Sequence, residues 1–445
     1  MGYNIGMISL GCAKNQTDAE TMLGILKEYG HKIVKDPENA DIIVVNTCGF
    51  IEPAKQESID VILEMAEYKN GRCKILIASG CLAERYNNEI LKEMPEVDAI
   101  VGTGDYHKIA EVIDKCTKGE KPALFGNKDF TPDEGLPRIL STPGYTAYLK
   151  IADGCDNNCT YCAIPKIRGK FRSRKKEDIL AEARNLAEAG VKELILIAQD
   201  TTRYGKDLYG KYALAELLEE LCKINGISWI RTHYYYTEAI TKELIDVMAK
   251  NEKICNYIDM PIQHINDRIL RRMARRTNRA EIEEKISYIR EKMPDAVIRT
   301  SIIVGFPGET DQEFSELYDF VKSIKFDRMG VFVYSPEEDT PAAEFEDQID
   351  EEIKQKRLDK LMTLQQEILL SKNQDRIGDT IEVLVEGYDE ESYLFFGRSR
   401  GDSIGVDQTV YFAANDEINF GDIVEVEILD SSEYDLTGQQ KNTHT

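Results

Sequence analysis

The chain has 445 residues, 10 of them cysteine, and a formal net charge of −24 from 80 acidic and 56 basic residues. With 42% hydrophobic residues and roughly 100–200 residues per domain, it reads as a packed globular protein of several domains; collagenous, low-complexity and wholly disordered classes are excluded. No window reaches about 18 uninterrupted apolar residues, which excludes a helical membrane span, and the acidic balance favours a protein or small-molecule substrate over nucleic acid, whose phosphates demand clustered Lys and Arg.

The first residues, Met1 to Gly6, lack the basic stretch and apolar run of a secretory signal. A cytoplasmic location is expected, where ten cysteines do not form a disulfide framework. Asn4–Leu10 reads as a strand ending in Gly11, and Asp18–Tyr29 repeats Ala19, Met22, Leu23 and Leu26 at helical spacing. Asp41–Asn46 is a buried-strand run, followed by a helix from about Ala54 to Lys69. Lys74–Ala78 is a third strand, Ala83–Met94 a helix, and Val97–Gly102 a short apolar run. This order implies a parallel-sheet α/β domain over 1–120. Residues 121–143, charged and carrying Pro122, Pro132, Pro137 and Pro143, read as linker.

From 144 to 371 the alternation repeats six times. Candidate strands are Ala147–Ala152, Glu193–Ala198, Trp229–Tyr235, Tyr257–Pro261, Val297–Val304 and Gly330–Tyr334, with helices such as Lys176–Ala189 and Asp311–Ser323 between them. Six such units predict a partial (βα)6 barrel with its chemistry at the carboxyl ends of the strands. A charged helix over about Asp350–Asn373 leads into short alternating runs such as Ile381–Val385 and Ile423–Ile428. These predict a small antiparallel β-barrel over 372–440, with the stretch after Asp435 read as a polar, mobile tail.

Two sets of cysteines carry chemistry. Cys155, Cys159 and Cys162 form a C-x-x-x-C-x-x-C run directly after the first barrel strand. Three thiolates at this spacing can hold three irons of a 4Fe-4S cube and leave one iron open; zinc would want a fourth ligand nearby, and the nearest His is His233. Cys12, Cys48 and Cys81 each follow one of the first three strands, each beside a glycine (Gly11, Gly49, Gly80). Loops at the carboxyl edge of a parallel sheet converge, so this trio can hold a second cube. Cys73, Cys116, Cys222 and Cys255 read as buried hydrophobes.

The run on the first barrel strand resembles the radical S-adenosylmethionine superfamily. Both trios in this order, followed by a small β domain, resemble its methylthiotransferase family over nearly the whole chain. The resemblance implies a methylthiotransferase amino domain, a radical barrel and a TRAM domain, with two 4Fe-4S clusters and S-adenosylmethionine. The cofactor would chelate the open iron and yield a 5′-deoxyadenosyl radical, and the auxiliary cluster would carry or relay sulfur. One branch of the family modifies tRNA adenosines at the 2-position. The other modifies an aspartate β-carbon on small-ribosomal-subunit protein number twelve. Ser9 to Asn15 (SLGCAKN), Ile164 to Arg174 (IPKIRGKFRSR) and Ala198 to Gly205 (AQDTTRYG) resemble the second branch. A non-enzymatic iron–sulfur protein that docks on the ribosome is the alternative from another class. Over 376–435 there are 3 basic and 16 acidic residues, which disfavours tRNA and favours a basic ribosomal protein docking on the acidic TRAM domain. A reductant such as flavodoxin or ferredoxin is also implied.

Gln199, Asp200, Gln263 and Arg299, at or within barrel strand ends, are candidate S-adenosylmethionine contacts, and Gly305 and Gly308 would admit its adenine or ribose. Two basic runs, Lys166 to Lys176 and Arg268 to Arg279, read either as solvated helix faces or as groups that orient an aspartate-bearing loop or the cofactor carboxylate, or touch ribosomal RNA.

Overall fold

Apolar runs bounded by glycine set the first layer. The computed structural model describes residues 2–131, 135–414 and 417–441; Pro132 of the expected linker and the last four residues of the expected tail lie outside them. Among these residues the amino-terminal segment forms a parallel sheet in which Asn4–Ser9, Ile42–Thr47 and Ile75–Gly80 lie side by side. The latter two strands are buried along their whole length, as expected when helices cover both faces. Alternate residues feed the two layers: Ile42 and Val44 pack with Met22 and Leu26, and Ile43 and Val45 with Ile62 and Met65.

The expected linker is partly structural. Ala123–Leu124 adds to the sheet as its edge strand. Arg138 then donates to Glu20 of the first helix at 2.7 Å and to Glu182 of the barrel at 2.8 Å, so the segment straps the two domains together.

The barrel strands are Thr146–Lys150, Glu193–Ile197, Trp229–Thr232, Tyr257–Asp259, Val297–Val304 and Arg328–Val333. They form two parallel triplets, joined at a seam where Ile230 bridges Ile254. The result is an open six-stranded barrel with helices outside. The helix Glu351–Asp375 returns along the last strand, and its Gln365 donates to the Phe326 carbonyl at 3.1 Å.

The carboxyl-terminal domain is a closed five-stranded barrel. It departs from expectation twice. Leu436–Gln440, read as mobile tail, is the closing strand, and its pairing with Val410–Ala413 is parallel. Leu436, Gly438 and Gln440 face inward, but only one of the three is a large apolar residue, so the period-two signal is too weak to read. This domain docks on the amino-terminal ends of the barrel strands. Glu193, the first residue of its strand, accepts from Arg398 at 2.7 Å and from Arg231 at 3.0 Å. Asp402 and Ser403 are fully buried, and Ser403 reaches through to His233, just past the carboxyl end of the third barrel strand, at 2.8 Å. One mouth of the barrel is therefore plugged, and the carboxyl-terminal rim is left to the amino-terminal domain.

Candidate active site between two cysteine trios

The loop that carries Cys155, Cys159 and Cys162 leaves the first barrel strand through Gly154. A side chain there would meet the Lys170 carbonyl at 2.0 Å, and φ is +76°, so only glycine fits. Ala152–Asp153 then pairs antiparallel with Arg172–Ser173, and Cys155 N–H donates to the Gly169 carbonyl at 3.1 Å. The excursion is thereby folded back on itself. Asn157 ties its tip to the second strand by donating to Asp200 at 2.9 Å. Tyr236 Oη lies 3.4 Å from Cys159 Sγ.

The structure also brings Cys12, Cys48 and Cys81 together. Cys12 caps the helix Ala13–Glu28, which starts five residues earlier than the sequence predicts. Cys81 opens a short helix, Cys81–Arg85, which Tyr86 separates from Asn87–Glu93; the single helix expected there is two. The Asn15 amide donates to the carbonyls of Leu10 (2.9 Å) and Thr47 (2.8 Å), lacing the first two loops. Gly11 is required by this approach: a Cβ there would lie 2.8 Å from Cys48 Cβ.

The thiols of both trios are free. Burial pushes Cys81 up to about 12, against the pull of Arg168, and raises Cys48. Cys12 differs. Desolvation opposes its ionisation, but Lys14, Arg168 and two backbone donors outweigh it, and the thiol is lowered. Burial likewise raises Cys155 to about 11 and Cys162 to about 12. Three thiols on converging loops are the donor set that a cube with one open corner would take. Loading either trio would release protons from the thiols that burial has raised, Cys48 and Cys81 in one trio and Cys155 and Cys162 in the other.

The segments that carry the two trios touch. Cys81 packs against Ala163 and Ile167, and Ala163 adjoins Cys162. Arg168 is 2% exposed and joins the domains. It donates to Asn15 at 3.0 Å, Asp18 at 2.8 Å and Asp153 at 3.1 Å, and approaches Cys81 Sγ at 3.7 Å. Despite burial, Arg168 and Lys150 hold the Asp153 carboxyl well below the usual carboxylate range. On the far side, Glu337 accepts from Glu52 N–H at 3.0 Å and pairs with Lys55 and Arg85 at 3.2 Å each.

The residues nominated for the cofactor divide. Gln199 donates to Asp153 at 2.9 Å, and its carbonyl oxygen is buried without a partner. Asp200, raised by burial, holds Asn157. Gln263 follows the fourth strand at φ +69°. Arg299 does not join them: it is the third residue of its strand and is spent on Asp259 at 2.8 Å, with Asp407 of the docked barrel 3.8 Å away. Gly305 and Gly308 face protein, because side chains there would meet Lys354 and Asp347, each at 2.2 Å.

The basic runs divide: Lys166, Lys170, Lys175, Arg268, Arg271, Arg276 and Arg279 are exposed, as on solvated faces, and three arginines are buried. Arg168 and Arg174 point inward, and Arg275, 6% exposed, lies 3.8 Å over the Tyr236 ring. Sequence reasoning missed Glu238, whose two carboxylate oxygens are buried and unpartnered at the same rim, and Tyr236. Their one available signal was position, just past the third barrel strand.

An open βα barrel whose first strand delivers three cysteines to its rim defines the radical S-adenosylmethionine class. Residues 149–321 match the model of the Radical SAM superfamily, 377–440 that of the TRAM domain, and 4–102 that of the Uncharacterized protein family UPF0004. The fold is similar to radical S-adenosylmethionine methyltransferase TsrM from Kitasatospora setae, at TM-score 0.57 and 14% identity over 77% of each chain. It is also similar to the cobalamin-dependent enzyme OxsB, at TM-score 0.51 and 14% identity over 82% of this chain and 56% of that one. Among curated proteins, ribosomal protein uS12 methylthiotransferase RimO of Clostridioides difficile (strain 630) is 54% identical over 98% of both chains. That of Thermoanaerobacter sp. (strain X514) is 52% identical over 98% of this chain and 99% of its own. The chain belongs to the RimO family of radical S-adenosylmethionine methylthiotransferases. No helix among the described residues is long and apolar enough to cross a membrane.

Proposed function

We propose that this enzyme thiomethylates the β-carbon of an aspartate on ribosomal protein uS12. Cys155, Cys159 and Cys162 would hold the radical 4Fe-4S cluster, and Cys12, Cys48 and Cys81 an auxiliary one. Bound there, the clusters and S-adenosylmethionine supply the hydrogen abstractor, the sulfur and the methyl group. The chain's own residues build the chamber. Asn157 and Asp200 fix the tip of the radical loop, Tyr236 braces Cys159, and Arg168 clamps the amino-terminal domain over the rim. Gln199, with a free buried carbonyl oxygen, and Glu238, with a free carboxylate, are the rim acceptors suited to the cofactor's amino group.

The observation that carries this reading is the contact of Cys81 with Ala163 and Arg168, since insertion of sulfur at a carbon radical needs both trios around one space. The carboxyl-terminal barrel supports a basic protein partner. Its Arg398 is spent on Glu193 and Glu386, and Arg400 pairs with Glu382, while Asp379, Glu390, Glu391, Glu425 and Glu433 remain exposed. Such a surface charge repels phosphate and attracts cations. A flavodoxin or ferredoxin would serve as reductant.

The test is incubation of the reconstituted, reduced enzyme and S-adenosylmethionine with uS12 and, separately, with bulk tRNA. A thiomethyl mass gain on the uS12 aspartate is expected. A gain on tRNA alone, or no 5′-deoxyadenosine at all, would overturn the reading.

A further inference from the structure

We propose that Lys14 is the specificity-determining residue that binds the side-chain carboxylate of the substrate aspartate. The inference rests on the reading above that the substrate is an aspartate. Four lysines among the described residues are buried: Lys14, Lys55, Lys150 and Lys354. Three have a carboxylate partner, namely Glu52 and Glu337 for Lys55, Asp18 for Lys150 and Glu351 for Lys354. Lys14, 7% exposed, has none among the described residues within the 4.0 Å of an ion pair. Cys12 and Tyr234 offset part of the cost of burying this ammonium, but no carboxylate among the described residues meets it, which leaves it able to take a partner that arrives from outside. An ammonium with three donors suits an oxyanion of the substrate.

Its location is the place the reaction requires. Lys14 lies two residues past Cys12, and its Nζ sits 3.3 Å over the ring of Tyr234. Tyr236, two residues on, touches Cys159. Two residues of chain span at most about 7 Å, so the segment Tyr234 to Tyr236 runs from the auxiliary trio to the radical trio with Lys14 above it. Tyr234 is held at φ +60°, a conformation that costs a non-glycine residue on the order of 1 kcal/mol. Its N–H donates to Asp259 at 3.0 Å and its carbonyl accepts from Thr201 N–H at 3.1 Å. The backbone thus fixes the ring that supports the ammonium by a cation–π contact. In aspartate the carboxylate carbon is bonded directly to the β-carbon. An ammonium on the carboxylate therefore fixes the β-carbon, from which the hydrogen is taken, one bond from the anchored carboxyl carbon.

The test uses full-length reconstituted enzyme, wild type, Lys14→Met and Lys14→Arg, with uS12 and with uS12 in which the target aspartate is replaced by asparagine. The readouts are equilibrium binding, iron content, the auxiliary-cluster potential and the split of KM against kcat. Wild type should bind the aspartate form at least about tenfold tighter than the asparagine form. Lys14→Met should lose that preference with iron content unchanged, and Lys14→Arg should restore part of it. A Lys14→Met enzyme that keeps the preference, or one that keeps it while the auxiliary-cluster potential shifts, overturns the proposal; the latter makes Lys14 a counter-charge to the cluster. Should Lys14→Met not load its clusters, the wild type and Lys14→Arg decide: equal binding of the two uS12 forms by wild type overturns it. Failure of wild type to bind or modify uS12 at all removes the substrate reading instead, together with this one.

Discussion

Gly11 and Arg168 show how single side chains set the site. A methyl group on Gly11 would stand 2.8 Å from Cys48 Cβ and 3.1 Å from its sulfur, at a φ of +86° that L-residues avoid. Gly11→Ala should therefore lose the auxiliary cluster while the radical cluster stays. Iron per chain falls by about half, and 5′-deoxyadenosine is still formed; full iron retention would contradict this. Arg168 neutralises two buried carboxylates, Asp18 and Asp153. Arg168→Met leaves Lys150 as the one cation for the two carboxylates and should cost about 3 kcal/mol in chemical denaturation, with Arg168→Lys intermediate. A loss within a few tenths of a kcal/mol would mean the network is not holding the domains. Neither role was legible from sequence. Arg168 sits in a run of alternating Lys and Arg that reads equally well as a solvated face, and only the antiparallel return of Arg172–Ser173 turns it inward.

Strands and their loops were the legible elements. Ile42–Thr47 and Ile75–Gly80 are apolar on both faces, so their burial, their parallel pairing and the convergence of the cysteines behind them follow from pattern alone. What pattern did not carry was contact between distant elements. The strand Leu436–Gln440 has one large apolar residue and depends on its partners, and Ala123–Leu124 is too short to show a period. The docking of the carboxyl-terminal barrel likewise depends on Glu193, where a strand's first residue meets Arg398. Burial raises this carboxyl, but Arg398 and Arg231 outweigh it and bring it down to about 2. Its contribution is thus complete above the unfolded value of about 4.3 and is lost as pH falls toward the folded value, a span worth on the order of 3 kcal/mol. Glu193→Gln should be less stable than wild type by about that amount at pH 7, and the gap should close between about pH 4.5 and pH 2. A gap independent of pH would show that Glu193 acts through packing rather than charge.

The three domains divide the work between the two ends of the barrel. The carboxyl-terminal domain plugs one mouth and presents acid outward, and the amino-terminal domain covers the other and brings a second set of thiols. An acidic docking face makes affinity for a basic protein fall with salt. Binding of uS12 should weaken steadily as ionic strength rises, and Glu390→Lys with Glu391→Lys should weaken it at low salt. Affinity indifferent to both would place the partner elsewhere. Everything else depends on the two trios holding separate clusters around one space. The most direct measurement is iron and sulfide content, with electron paramagnetic resonance, of wild type and two triple variants. One has Cys12, Cys48 and Cys81 replaced by alanine, the other Cys155, Cys159 and Cys162. About eight irons per chain are expected in wild type and about four in each variant, with distinct spectra in the two. A triple variant that empties both sites, or one that loses no iron, would contradict the account.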